Sequence, residues 1–511
     1  MLNLANFWFY HMEDNQIFYD PSNKDSILKY AKELCGRTFA NIIEKFNNEK
    51  SLAEESAIYD VKHLNINKGK LGNIVETCWF HIKQNSDHAP DFPIVGVELK
   101  VSPFEYTKDK EIRAGERVVI TQINFNEPPI VNLSSTILWS KMEQVLFVFY
   151  HRDRTKERLD YNIEYVGIYN IPEKDILIIK EDYKKLIGKI MDGKAHEISE
   201  GDTMYLGACT KGAKSTDRVD QYKSNIKAKP RAFCFKQPYV TYMLQTYFVP
   251  SAQEQEKCEE IVSVEELKRE LTFEEIVVQK INKYQGKTDK ELCNLFGIEY
   301  TGNKAQWITL TYKMLGINSG RAEEFVKAGI SVKTTRLSPK GLAKEPSPLP
   351  PMRMLELDSE KKWEDSILYD QLTTLKYLFA VYRDDGKGKD CVLLGAKLWN
   401  MPSSDLVDAK MVWEKTKNIV ANGVKFKRKT NSKGTVSISN NLPGIASSKT
   451  IHVRPHTSKT YYKFSDGTVF GKGTESANGD KLPDGQIMTR QSFWFNPKYI
   501  TEILADVFSS K

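Results

Sequence analysis

Two stretches of the chain, AFCFKQPYVTYML (232–244) and SFWFNPKYITEIL (492–504), superimpose without a gap: Phe233 falls on Phe493, Phe235 on Phe495, Tyr239 on Tyr499, Thr241 on Thr501 and Leu244 on Leu504. In the same order, VLFVFYHR (145–152) lies over YLFAVYRD (377–384) and, more weakly, CGRTFANI (35–42) over QGKTDKEL (285–292). One such match could arise by chance between amphipathic segments. Several collinear ones point to a duplicated domain, and a chain of 511 residues is too long for a single core. The expected division is a first domain over 1–248, a linker over 249–272 and a second domain over 273–511. The linker, SAQEQEKCEEIVSVEELKRELT, is charged, poor in strand formers and spaced as a helix. Its alternative reading is one more surface helix of a single large domain.

Within the first half, periodicity predicts helices over 25–48, 71–82 and 182–199, and strands over 96–102, 117–125, 145–151 and 165–171. The apolar fraction of 40% contains no run near the roughly 18 residues of a membrane span, which excludes a membrane-spanning helix. The N-terminus has no basic stretch ahead of an apolar core, so a cytoplasmic location is expected. Seven scattered cysteines, none in a CxxC pair, argue against a disulfide framework and a zinc site. A net charge of +7 is compatible with a polyanionic partner without requiring one.

The stretch DFPIVGVELKVSPF (91–104) carries the chemistry. In a strand Glu98 and Lys100 share one face while Val97 and Leu99 face the packing, and Pro93 with Gly96 permits a bend that brings Asp91 beside them. Two converging carboxylates suit a hard cation such as Mg2+, and a lysine beside them can orient an attacking water and offset charge growing on phosphorus. A loose D…ExK pattern arises by chance on the order of once in a chain this long. The apolar strand around Glu98 and Lys100 argues for a purpose, because charges half-buried there are otherwise costly. The second half, RAEEFVKAGISVKTT (321–335), repeats the frame: Phe325, Gly329 and Lys333 match Phe92, Gly96 and Lys100, while Glu324 replaces Asp91 and Ser331 replaces Glu98.

DFPIVGVELK resembles the core motif of the MutH-like nucleases of the PD-(D/E)xK superfamily. With the tandem layout and the segments GKAHEISEG, YLGACTKGAK, IKAKPRAF, HVRPHT and RQSFWFNPKYI, nearly the whole chain resembles the staphylococcal-type GATC-specific type II restriction endonucleases. The resemblance implies an α/β architecture of two tandem domains, each a mixed β-sheet flanked by helices. It makes Asp91 and Glu98 the metal-binding acids, Lys100 the catalytic lysine, Glu76 an additional acid and Lys141 a second active-site lysine. It matches Lys68, Lys211 and Tyr239 of the first half, and Arg454, His456 and Tyr499 of the second, to DNA contacts. The chain departs from the family's Arg-Pro-Lys run, reading Cys209, Thr210, Lys211 in one half and Arg454, Pro455, His456 in the other. In the second half Glu76 is matched by the nonacidic helix KAQWITLTYKML and Lys141 by Thr373, so that copy is expected to be catalytically inactive. Its basic run KFKRKTNSK (425–433) reads as a phosphate-contacting loop or a merely exposed one.

The implied activity is Mg2+-dependent hydrolysis of duplex DNA at GATC, with the second domain binding another site as an effector. The implied partners are two DNA sites, bridged by looping, and a protein that is monomeric before DNA and able to dimerise on it. A cognate methyltransferase would act on the same site. Two other readings are a mismatch-repair nicking nuclease, which needs no second copy, and a DNA-binding protein without activity.

Overall fold

The computed structural model describes residues 18–52, 68–82, 89–107, 109–212, 216–249, 258–269, 271–384, 386, 390–430 and 436–509. The chain forms two compact units. One comprises Met1–Cys258 with the short segments Ser263–Lys268 and Val326–Ala328, the other Glu259–Val262, Arg269–Phe325 and Gly329–Lys511.

The first unit opens with helices α1 (Lys24–Lys32) and α2 (Phe39–Leu52). Asn23 caps α1 by accepting from the amides of Asp25 and Ser26. The expected single helical run is broken at Gly36, whose φ of 83° is open to glycine at no steric cost. That break has a use. Gly36 N donates to Ile163 O at 2.7 Å and Ile163 N to Arg37 O at 2.9 Å, which ties the turn to the sheet. Helix α3 (Lys68–Ile74) follows and continues as a wider turn over Val75–Trp79.

The central sheet has the order β2-β1-β4-β5, built from β1 (Glu98–Tyr106), β2 (Ile112–Ala114), β4 (Gln144–His151) and β5 (Ile163–Asn170). Strands β1 and β4 are parallel, so the chain must cross over between them, and it does so through β3 (Val118–Gln122) and helix α4 (Ile137–Met142). Val97, Leu99, Leu146, Val148 and Tyr150 pack beneath Ile27, Tyr30, Phe39, Ile42 and Trp79 in one buried core. Helix α5 runs over Glu173–Met191, nine residues earlier than the pattern predicts, and ends where Gly193 adopts a φ of 69°. Over 173–181 the sequence EKDILIIKE sets four apolar residues in a row between charged ones, which hides the helical spacing that would mark its start. A second sheet, β3-β9-β6, joins β6 (Leu206–Thr210) and β9 (Arg231–Phe235), with the ribbon β7 (Val219–Gln221) and β8 (Ser224–Ala228) between them in sequence. Helix α6 (Gln237–Met243) closes the unit.

The second unit repeats this pairing. Strands β10 (Ile330–Leu337) and β12 (Lys376–Asp384) are parallel, and β13 (Cys391–Trp399) is antiparallel to β12. A bulge interrupts the second pairing between Val381 and Tyr382, as one does between Phe149 and Tyr150 in the first unit. Gly286 N donates to Leu393 O as Gly36 N does to Ile163 O. Thr501 Oγ1 accepts from Ala343 N at 2.9 Å, as Thr241 Oγ1 does from Ala114 N at 3.1 Å. Strand β11 (Ser347–Pro351) completes a sheet with β16 (Ile451–Pro455) and β17 (Gln491–Phe495), while residues 426–430 of the basic run form β14 (Phe426–Thr430), paired with β15 (Val436–Asn440), and 431–433 lie outside the described residues. The long helix of this unit, α7, spans Leu406–Ala421, and helix α8 spans Pro497–Ile503.

Of the expected linker, 250–257 and 270 lie outside the described residues, and Val264–Leu267 form a helix of four residues. Among the described residues no helix is long and apolar enough to cross a membrane. None of the seven cysteines is in a disulfide.

Candidate active site

The first residue of β1, Glu98, is buried, with its side chain 2% exposed. Two residues on, Lys100 lies on the same face and its Nζ reaches Glu98 Oε1 at 2.6 Å. Lys141, in the last turn of α4, brings its Nζ to 3.3 and 3.2 Å from the two Glu98 oxygens. A buried carboxylate between two ammonium groups is compensated, where an isolated one would be strongly unfavourable.

Asp91 joins from the preceding turn. Phe92 and Val97 bridge as a tight reversal through Gly96, whose φ of 68° strongly favours glycine. Asp91 Oδ2 then accepts from Leu99 N at 2.8 Å. Burial pushes the Asp91 carboxyl up, the charge of Glu98 adds to this, and Lys100 opposes it. Glu76, in the widened turn after α3, is pushed up by burial and then by Asp91, with Lys100 pulling the other way. Three carboxylates therefore feel one another's charge at one end of β1, and two of them are short of positive compensation. Among the described residues no three such groups are already drawn into a metal-holding cluster. The all-oxygen donor set of Asp91, Glu98 and Glu76 nevertheless fits a hard divalent cation, because added positive charge would offset the burial and, after it, the mutual repulsion that raise Asp91 and Glu76.

A family model described as the DNA mismatch repair enzyme MutH matches residues 80–182, which take in Asp91, Glu98, Lys100 and Lys141 and leave Glu76 just outside. The chain is 31% identical over 464 residues to the type II restriction enzyme Sau3AI of Staphylococcus aureus, covering 86% of this chain and 93% of that protein. The chain belongs to the Sau3AI family of MutH-like type II restriction endonucleases. The DNA mismatch repair proteins MutH of Vibrio campbellii and Vibrio vulnificus are 23% and 22% identical, over 46% and 45% of this chain. Nearly all of each MutH protein is matched, 99% and 95%. A length equal to one MutH is thus about half of this Sau3AI-family chain.

The second half of this family member keeps the frame of the site without the acid of Glu98, and the acid at the Asp91 position, Glu324, is turned to another use. Ser331 stands opposite Tyr377 and Lys333 opposite Phe379, the pairing that Glu98 has with Val145 and Lys100 with Phe147. Gly329 keeps a φ of 65°. Lys333 Nζ donates to Pro348 O at 2.7 Å, and Glu324 is buried accepting from the amides of Ile261 and Val262. The Lys141 position shifts by two residues between frames. Counted from the helix caps Thr136 and Ser366 it is Gln371, and counted back from the strand it is Thr373, whose hydroxyl donates to Tyr369 O. Neither is a lysine.

Of the residues expected to meet DNA, Lys211 is exposed beyond the end of β6, and its amide donates to Pro230 O at 2.8 Å. His456 makes the same bond to Arg490 O at 2.9 Å, so the two positions correspond. Arg454 is exposed, with its guanidinium carbon 4.9 Å from the centre of the Trp494 ring. His456 lies 5.7 Å from that ring, and its buried Nδ1 has no hydrogen-bond partner among the described residues. Lys68 is the first residue of α3, and its side chain lies outside the described residues.

Two expected DNA contacts are corrected. Tyr239 has no exposed surface: its hydroxyl donates to Asp175 Oδ2 at 3.0 Å and shares a 2.8 Å hydrogen bond with Tyr169, and its ring stacks on Tyr205. Tyr499 is 1% exposed and donates to Asp405 Oδ2 at 2.6 Å. In each unit this tyrosine locks the closing helix to the start of the long helix, so the repeated tyrosine marks packing. The sequence reading missed Asp182, a buried carboxylate on α5 that holds the start of β6. An aspartate inside a helix pattern carries no signal of such a role.

Proposed function

We propose that the first unit hydrolyses phosphodiester bonds of duplex DNA at GATC with Mg2+, and that the second unit binds another copy of the site as an effector. The observation that carries the reading is Glu98 held between Lys100 and Lys141 with Asp91 and Glu76 beside it. Asp91 and Glu98 would hold the cation, with Glu76 adjoining, and the bound cation would supply positive charge to the phosphate oxygens. Lys100 and Lys141 place two ammonium groups where charge grows as water adds to phosphorus and the P–O bond to the leaving oxygen breaks. Their hydrogen bonds to Glu98 fix both groups before substrate arrives, so little ordering remains for the reaction itself.

For the second unit, the exchange of Glu98 for Ser331 and the burial of Glu324 against backbone amides support a copy without hydrolytic function. The Arg454–Trp494 pair, His456 and the basic ribbon support a retained DNA-binding face. Effector binding in this reading loops two sites together, on a protein that is monomeric before DNA, dimerises on it and acts in the cytoplasm beside a methyltransferase of the same sequence. The test is incubation of the protein and Mg2+ with plasmids carrying one or two GATC sites, followed by sequencing of the ends. Ends at GATC and faster cutting of the two-site plasmid are expected. Nicked circles alone would indicate a strand-nicking activity, and equal rates on both plasmids would remove the effector role.

A further inference from the structure

The strand that delivers Lys211 begins at a buried turn gripped from two sides. Asp182, itself 2% exposed, accepts from three consecutive amides: Met204 at 2.6 Å, Tyr205 at 2.7 Å and Leu206 at 2.9 Å. From the other side Lys236, 3% exposed, donates from Nζ to Thr203 O at 2.9 Å and from its backbone to Tyr205 O at 3.0 Å.

The second unit holds the equivalent turn in the same manner with different side chains. Leu206 stands opposite Phe235 and Ile451 opposite Phe495, so Thr450 occupies the place of Tyr205 and Ser448 that of Thr203. Asp408, in the first turn of α7, accepts from Thr450 N at 2.8 Å, Thr450 Oγ1 at 2.6 Å and Ser448 Oγ at 2.7 Å. Asn496, 3% exposed, stands where Lys236 does. Its Nδ2 donates to Ser448 O at 2.7 Å and its backbone to Thr450 O at 2.8 Å. Asp182 lies well inside its helix and Asp408 near the start of its own, so the two aspartates do not occupy one position of the repeat.

Burying a carboxylate as fully as Asp182 costs several hydrogen bonds' worth of solvation, Asp408 is partly buried, and a short strand start can be held by its sheet ladder alone. Both units nevertheless retain a carboxylate on one side and an N–H donor on the other, after the residues supplying them have diverged. What the two gripped strands share is their far end, where Lys211 and His456 emerge. We propose that Asp182 with Lys236, and Asp408 with Asn496, are positioning residues for DNA reading, fixing the recognition strand so that Lys211 and His456 meet base edges in register. The inference rests on the reading of Lys211 and His456 as DNA contacts.

The experiment uses the full chain and steady-state cleavage of a GATC duplex and of a duplex with one of its base pairs changed, with the thermal midpoint recorded for each variant. Asp182→Asn and Lys236→Met are expected to raise KM for the GATC duplex about tenfold, the scale of one hydrogen bond to a charged group, with a smaller change in kcat and a reduced preference for GATC. Lys236→Asn, which imports the second unit's donor, should recover part of the preference. A proportional loss of kcat on both duplexes with unchanged preference would make the grip purely structural and overturn the proposal. Should Asp182→Asn fail to fold, identical preference in Lys236→Met and Lys236→Asn would overturn it equally. Lys211→Ala separates the underlying reading: if that variant keeps full preference, the assignment of Lys211 to base reading fails, whatever the grip does.

Discussion

Replacing Tyr239 with Phe removes one hydroxyl from a fully buried site and leaves the ring in place. That hydroxyl donates to the Asp175 carboxylate at 3.0 Å and shares a 2.8 Å bond with Tyr169. A buried hydrogen bond to a charged group contributes about 1.5–3 kcal/mol and a neutral one about 1 kcal/mol, so a loss of about 3 kcal/mol is expected. For a unit of this size each kcal/mol moves the thermal midpoint by roughly 2–4 °C, which places the variant about 6–12 °C lower. Tyr499→Phe loses one bond, to Asp405 at 2.6 Å, and should fall by about half as much. The assay is thermal unfolding followed by circular dichroism, paired with duplex affinity measured well below the midpoint. Affinity per folded molecule should stay within twofold of the parent. A tenfold loss of affinity with an unshifted midpoint would mean that the tyrosine faces DNA and that its buried network is misread.

Three further outcomes follow from the same geometry. Lys141→Met should cut at least about a hundredfold more slowly than the parent while binding the duplex equally well, since it removes transition-state charge and no phosphate contact; parent-like rates would take Lys141 out of the site. Ser331→Glu should leave the second unit unable to cut in a Glu98→Gln chain, because Glu324 is committed to the amides of Ile261 and Val262; any restored cleavage would contradict that commitment. Burial, with the charges of Lys333 and Arg490, holds His456 below the ordinary histidine range, so it is neutral near pH 7 and gains its proton only in acid. Its contribution to stability is present above that ordinary range and is lost as pH falls through the lowered value. Binding of a duplex to a Glu98→Gln chain should tighten over the same acid interval, and His456→Gln should flatten that dependence.

The repeat was legible because it was written in packing residues. Phe233, Phe235 and Thr241 match Phe493, Phe495 and Thr501 because each serves the same sheet register or helix closure in its own unit, so the same side-chain type is required at both places. The D…ExK face was legible for a related reason, since a strand's alternation fixes Lys100 beside Glu98 and a glycine at positive φ turns Asp91 back. Lys141 is brought to Glu98 by the crossover between parallel strands, a long-range arrangement that only the family resemblance suggested. The same likeness between the halves misled at Tyr239 and Tyr499: a tyrosine present in both bonds a carboxylate at the start of the long helix, which looks in sequence like a shared DNA contact. Asp182 and Asp408 escaped notice because they serve one backbone position from different places in their helices, so superposing the halves hides them.

The most direct test of the account is a paired measurement on Glu98→Gln, a substitution that keeps the side chain's shape and removes its charge. Duplex affinity and Mg2+-dependent cleavage are measured on the same preparation, with the parent chain's product ends sequenced. Parent-like duplex binding, no detectable cleavage by the variant, and parent ends that fall at GATC are expected. Cleavage by Glu98→Gln at the parent rate would contradict the account, and would place the chemistry outside the Glu98–Lys100–Lys141 cluster.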